Sequence, residues 1–146
     1  MPQLLLDRLR DARGQSLAEF AIVFPVFMLM VGGMIQFGII FWGQNTLTQI
    51  ARDTGRWAAT QTTCPTTASV TPVANTLAAE SSLIGYSTAA DLTVTASTTG
   101  PCPPTDNTQV AYVSITLNHQ VPVFFPFVPG NGNLSTSAQF RMEPHP

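Results

Sequence analysis

The 23 residues from Phe20 to Trp42 carry no charged side chain. As a helix they reach about 34 Å, enough to cross a hydrocarbon core of about 30 Å with some tilt. A secretory signal has a shorter apolar region, about 7–15 residues, followed by a small-x-small cleavage site. Gly43-Gln44-Asn45 fits such a site poorly, so the stretch reads as a retained anchor. Arg8, Arg10, Arg13 and the N-terminal amine precede it, against Arg52 and Arg56 after it. The positive-inside bias therefore puts the N-terminus in the cytoplasm and the rest of the chain outside.

The helical pattern does not stop where the span does. Leu47, Ile50, Ala51, Thr54, Trp57 and Ala58 recur at threes and fours, while Gln44, Arg52, Asp53 and Arg56 fall on other faces. One helix is expected over about residues 16–60, its outer half amphipathic and in need of a partner. Four regions follow: a leader over 1–14, the span over 15–43, an outer continuation over 44–62, and a small β-rich domain over 63–146. Cys64-Pro65-Thr66-Thr67 and Thr71-Pro72 are expected to break the helix, and Ala74 to Ile84 to form a short second one ending near Gly85.

Beyond Gly85 the period changes to two. Leu92–Thr95 and Leu134–Met142 read as strands, and Gln109–Leu117 as a stronger one with Ala111, Val113, Ile115 and Leu117 on one face. That face can cover the outer half of the long helix, giving an α+β fold in which a long N-terminal helix packs on a small antiparallel sheet. The outer domain is near the size at which a hydrophobic core alone is marginal. Cys64 and Cys102 both lie beyond the span, where an oxidising compartment lets them pair; the alternative is two unpaired thiols.

Val121 to Pro129 is the most apolar run outside the span, and its three prolines deny ladder donors. It reads either as a core-covering edge segment or, through Phe124, Phe125 and Phe127, as a contact surface for another subunit or for lipid.

Charge excludes one class of function. The net charge is −2, charged residues are 10% of the chain, and the six basic residues are all arginine, spread over leader, juxtamembrane helix and C-terminus. No basic stripe exists for a nucleic acid. Nor does any motif call for catalytic residues, a cofactor, a metal or a small-molecule substrate: the cysteines form no C-x-x-C, and there is no G-x-S-x-G or phosphate-cradling loop. His119 is expected as a solvated turn residue, and Asp91 and Asp106 as isolated acids.

The segment Arg13-Gly14-Gln15-Ser16-Leu17-Ala18-Glu19-Phe20-Ala21-Ile22-Val23-Phe24-Pro25, with Gln36-Phe37-Gly38 and Ala51-Arg52-Asp53-Thr54-Gly55-Arg56, resembles the TadE-like family. Those proteins are pseudopilins or minor pilins of the tight-adherence (Tad, Flp) type IV pilus. The resemblance covers about residues 12–58 and implies a pilin-like fold and a non-enzymatic role in adhesion and biofilm formation. It implies cleavage after Gly14 by a prepilin peptidase, leaving Gln15 as the new N-terminus and Glu19 as the fifth mature residue. Phe20 stands where major pilins of this branch usually carry tyrosine, and Gln36 where the family often has glutamate. The implied partners are the peptidase, other pilins or pseudopilins, the inner-membrane assembly platform and membrane lipid.

Cleavage would place a positive amine at the positive end of the helix dipole, an arrangement that favours a nearby carboxylate. Glu19, four residues from Gln15 and on the same face, can serve that amine in its own chain or in a neighbour. Ser16-x-x-Glu19 also fits a capping box. Glu19, Phe20 and Pro25, the last expected to kink the span, are the candidate assembly residues. The expected location is a bacterial inner membrane, single-pass, with the C-terminal domain periplasmic or extracellular. Two other readings remain: an unprocessed bitopic protein whose outer domain binds a ligand or surface, and an enzyme released by cleavage after the span.

Overall fold

The computed structural model describes residues 2–106, 108–125 and 131–144, with side chains from Gln15 onward. Helix α1, Pro2–Ala59, is followed by α2, Thr67–Glu80, a 3-10 turn at Ala89–Asp91, and strands β1, Leu92–Thr99, β2, Tyr112–Gln120, and β3, Asn133–Arg141. The helix is continuous through Pro25. Helix α2 begins earlier than its proline suggests, with Pro72 inside it. Its start is fixed by Thr66, whose hydroxyl accepts from the Ser69 N–H while Ser69 Oγ accepts from the Thr66 N–H, a reciprocal cap that outweighs the break signal.

The strands form an antiparallel meander in the order β1-β2-β3. Its register lines up rows across the inner face: Leu92, His119 and Leu134; Val94, Leu117 and Thr136; Ala96, Ile115 and Ala138; Thr98, Val113 and Phe140. Alanines flank Ile115, which leaves room for the helices above the sheet centre. Helix α1 lies over β2 and β3, and α2 over β1. Leu47, Ile50, Ala51, Ala58, Val70, Ala74, Ala78, Val113, Ile115 and Leu117 are buried between these layers. The opposite face is rich in serine and threonine and faces water, as one side of an antiparallel sheet can.

Both edges of the meander are met by helix side chains. Thr67 Oγ1 accepts from the Ala96 N–H on β1 at 3.1 Å, and Gln44 Nε2 donates to the Ser135 carbonyl on β3 at 3.2 Å. Occupied edge groups are poor templates for uncontrolled strand pairing.

The buried stripe of α1 runs farther down than its outer half. Gly32, Gln36, Gly43, Leu47, Ile50, Thr54 and Ala58 are all buried and repeat at threes, fours and sevens. A Cβ on Gly43 would lie 2.9 Å from Leu134 Cδ1 and Val121 Cγ1, so the base of the sheet rests on a bare backbone there. At Gly55 a Cβ would run into the Phe140 ring. Thr54 Oγ1 is buried without a hydrogen-bond partner among the described residues, a local cost of about 1–3 kcal/mol.

Candidate functional site

Below the sheet, α1 presents an apolar surface with little covering it. Leu17, Phe20, Ile22, Val23, Val26, Met30, Met34, Ile35, Phe41 and Trp42 are all exposed, Ile22 to 74%. A core helix of a soluble protein would bury such a stretch. Among the described residues α1 is the one helix long and apolar enough to cross a membrane. At its lower end the Gln15 amide donates to the Glu19 carboxylate at 3.3 Å, one helical turn apart. The rings of Phe20 and Phe24 lean together with centroids 5.1 Å apart. Ser16 lies inside α1, so in the intact chain it does not cap a helix start. Gly14 is within the helical backbone; its surroundings lie outside the described side chains.

The described part of the proline-rich segment after β2 is not a strand. Val121–Phe125 leaves the sheet and descends beside α1. Gln36, only 1% exposed, donates from Nε2 to the Pro122 carbonyl at 3.1 Å and accepts the Phe124 N–H on Oε1 at 2.8 Å. The Phe125 ring occupies the space that a side chain on Gly32 would fill. Phe124 is 72% exposed. Phe127 lies outside the described residues, as do the other positions from 126 to 130. No sequence signal tied Gln36 to this segment, because the contact spans 86 residues.

At the upper end, Cys64 and Cys102 are joined in a disulfide, with Cα atoms 5.5 Å apart. The bridge ties the α1-α2 connection to the β1-β2 connection.

His119 corrects a sequence expectation. It is 4% exposed, not solvated, because its position on β2 falls on the inner face. Its Nδ1 lies 2.8 Å from the Asp91 carbonyl and its Nε2 2.8 Å from the Ile84 carbonyl. The ring therefore fastens the chain after α2 to the sheet. Asp91 completes this fastening: its Oδ2 accepts the Thr88 and Ser87 N–H groups at 2.7 and 2.8 Å and the Ser87 hydroxyl at 2.8 Å. Those bonds, the Thr88 N–H first, lower its pKa from 3.8 to about 2.

A depressed carboxylate pKa contributes stability that is full above 3.8 and lost as pH falls toward 2. The melting temperature of the full chain in detergent should therefore fall between those pH values. Asp91→Asn should flatten that part of the profile; an unchanged profile would show that the carboxylate is not coupled to folding.

An open groove of about 930 Å³ runs along the lower end of the sheet, lined in part by Asp91, Asn118, His119, Pro122 and Asn133. His119 spends its hydrogen bonds on backbone carbonyls, and Asp91 on the N–H and hydroxyl groups of Ser87 and Thr88. Among the described residues no group of three or more His, Cys, Asp or Glu side chains comes together to hold a metal.

Fold and surface together define a class: an α+β protein in which a small antiparallel sheet packs on one end of a helix long and apolar enough to cross a membrane. The family model described as TadE-like protein matches residues 14–56, and over this segment the chain is similar to that family. The match begins at Gly14 and ends three residues before α1 does, so it covers the apolar stretch and most of the helix face under the sheet. The likeness to that family is confined to this segment, most of the apolar helix, and residues 57–146 lie outside it. No curated protein and no solved structure matches it.

Proposed function

We propose that this chain is a pseudopilin or minor pilin of a Tad (Flp) pilus, in adhesion and biofilm formation. It inserts once in the bacterial inner membrane with its N-terminus cytoplasmic and its sheet outside, and a prepilin peptidase cuts it after Gly14. The observation that carries this reading is the lower half of α1: an apolar rod that the chain itself leaves uncovered, ending at a carboxylate one turn from Gln15. In the bilayer lipid covers the rod. In a filament the same surface packs against other pilins, so one helix serves both states.

Four regions then have separate tasks: leader 1–14, span 15–43, outer helix 44–62 and β-rich domain 63–146. In the processed chain Glu19 sits near the new amine of Gln15 or of a neighbouring subunit and sets the axial register. Phe20 and Pro25 lie on the same packing rod. The assembly platform and other pilins are the partners that this reading requires.

Glu19→Ala tests it. The variant should still be inserted and cleaved, since neither step needs a pairing carboxylate, yet its amount in sheared surface pili should fall at least tenfold. Such a loss corresponds to about 1.4 kcal/mol or more of lost subunit contact. Incorporation equal to that of the parent chain would remove Glu19 from the assembly role.

A further inference from the structure

Val121–Phe125 is a non-helical segment lying beside a membrane-length helix. Gly43 marks the base of the sheet, where Leu134 and Val121 touch α1. Gln36 is seven residues lower, about 10 Å along the axis, and Gly32 four residues lower again, about 6 Å farther. Trp42, exposed to 61%, stands near the top of the apolar rod, where indole rings favour the membrane interface. Phe124 and Phe125, held at Gln36 and Gly32, lie below it. Around the same level Met34, Ile35 and Phe37 of α1 are exposed. The segment thus shares its depth with helix surface that only an apolar medium suits.

Non-helical backbone in hydrocarbon is tolerated only where its polar groups find partners, each unsatisfied group costing several kcal/mol. This segment meets part of that cost with bonds of its own. Pro122 has no N–H, the Val121 N–H donates to the Gly132 carbonyl at 2.9 Å, and Gln36 serves both the Pro122 carbonyl and the Phe124 N–H. The exchange is mutual, because the Gln36 amide, buried at membrane depth, has its donor and acceptor ends satisfied by the same segment. An amide suits the position since it must donate and accept at once; an ionised carboxylate only accepts. Phe124 remains outside this arrangement, an apolar ring turned away from the protein.

We propose that Val121–Phe125 is inserted in the outer leaflet of the bilayer, with Phe124 against acyl chains and Gln36 as the clamp that satisfies the Pro122 carbonyl and the Phe124 N–H there. The insert holds the sheet down on the membrane surface, and it rests on α1 being a membrane span. The occupant of the exposed Phe124 face is lipid, argued from its continuity with the exposed apolar surface of α1.

The test uses the full chain in phosphatidylcholine and phosphatidylglycerol vesicles at low protein density. A thiol-reactive fluorophore is placed in turn at Phe124→Cys, Ile35→Cys and Ser137→Cys, the native cysteines being paired. Quenching is read with spin-labelled lipids and with aqueous iodide. The Phe124 probe should match the Ile35 probe, quenched by lipid and shielded from iodide, with Ser137 the reverse. Adding Gln36→Leu should raise iodide quenching at Phe124 several-fold while leaving Ile35 and the sheet's circular dichroism unchanged.

A Phe124 probe open to iodide beside a lipid-quenched Ile35 overturns the insertion alone. An iodide-quenched Ile35 overturns the span and with it the proposal. Shielding of Phe124 from both quenchers, deepening with protein density, assigns the face to a second copy and overturns the lipid occupant. An unmoved Phe124 probe in Gln36→Leu overturns the clamp.

Discussion

Replacing Cys64 and Cys102 together by serine should lower the stability of the outer domain by about 4 kcal/mol, the chain-entropy value for a closed loop of this length. The bridge spans a sequence separation of 38 and closes the loop that contains all of α2 and β1. Those two elements pack mainly on each other, on α1 and on β2. Without the bridge, the α2-β1 unit is held by its share of a small core and by the His119 and Asp91 bonds. Set against the 5–15 kcal/mol typical of a whole domain, a loss of this size is large. Thermal unfolding and limited proteolysis of the full chain in detergent would show it as a lower midpoint and early cleavage between residues 60 and 100. A reductant should reproduce the effect in the parent chain and add nothing to the double variant. Equal midpoints in all three cases would mean that packing alone holds the unit.

Ile115→Ala should cost about 2–5 kcal/mol, the range for removing a large aliphatic side chain from a packed core. Ile115 is fully buried on the middle strand, with Ala96 and Ala138 opposite it on β1 and β3. Because those neighbours are alanines, no adjacent side chain of the row is long enough to fill the space. Ala138 cannot collapse into it without moving β3. The cost should therefore lie toward the upper part of the range. Thr116→Ala, one residue along and on the other face of the sheet, removes a group from a half-exposed position and should change stability by less than about 0.5 kcal/mol. Equal effects from the two substitutions would contradict the inner and outer faces assigned here.

Much of this architecture is written locally. Leu47, Ile50 and Thr54 stand out because polar residues separate them, so the helix face under the sheet is visible as a period. The alternation through Val113, Ile115 and Leu117 is equally plain and orients β2. Gly32, Gln36 and Gly43 continue the same stripe into the span, but there every neighbour is apolar and the period has no contrast. Their meaning depends on Phe125, Pro122, Val121 and Leu134, residues distant along the chain. In the structure Gly32 gives clearance for the Phe125 ring and Gly43 for the base of the sheet, roles that no neighbouring residue announces. Pro72 reads as a break because the competing signal, the Thr66-Ser69 cap, is short and common. His119 reads as a turn residue because β2 extends three residues beyond the expected Leu117, which turns the ring inward. At the site, Gln15 and Glu19 are within one turn by spacing alone, whereas the pairing of Gln36 with the proline-rich segment is purely tertiary.

The account rests most on the fate of the leader. The direct measurement is the N-terminal residue of the chain purified from membranes of cells with and without the prepilin peptidase. The account predicts a start at Gln15 in the first case, and an uncut leader both in the second and in Gly14→Arg. An intact leader in both strains would contradict it, leaving a membrane-anchored protein whose outer domain acts with the leader still attached.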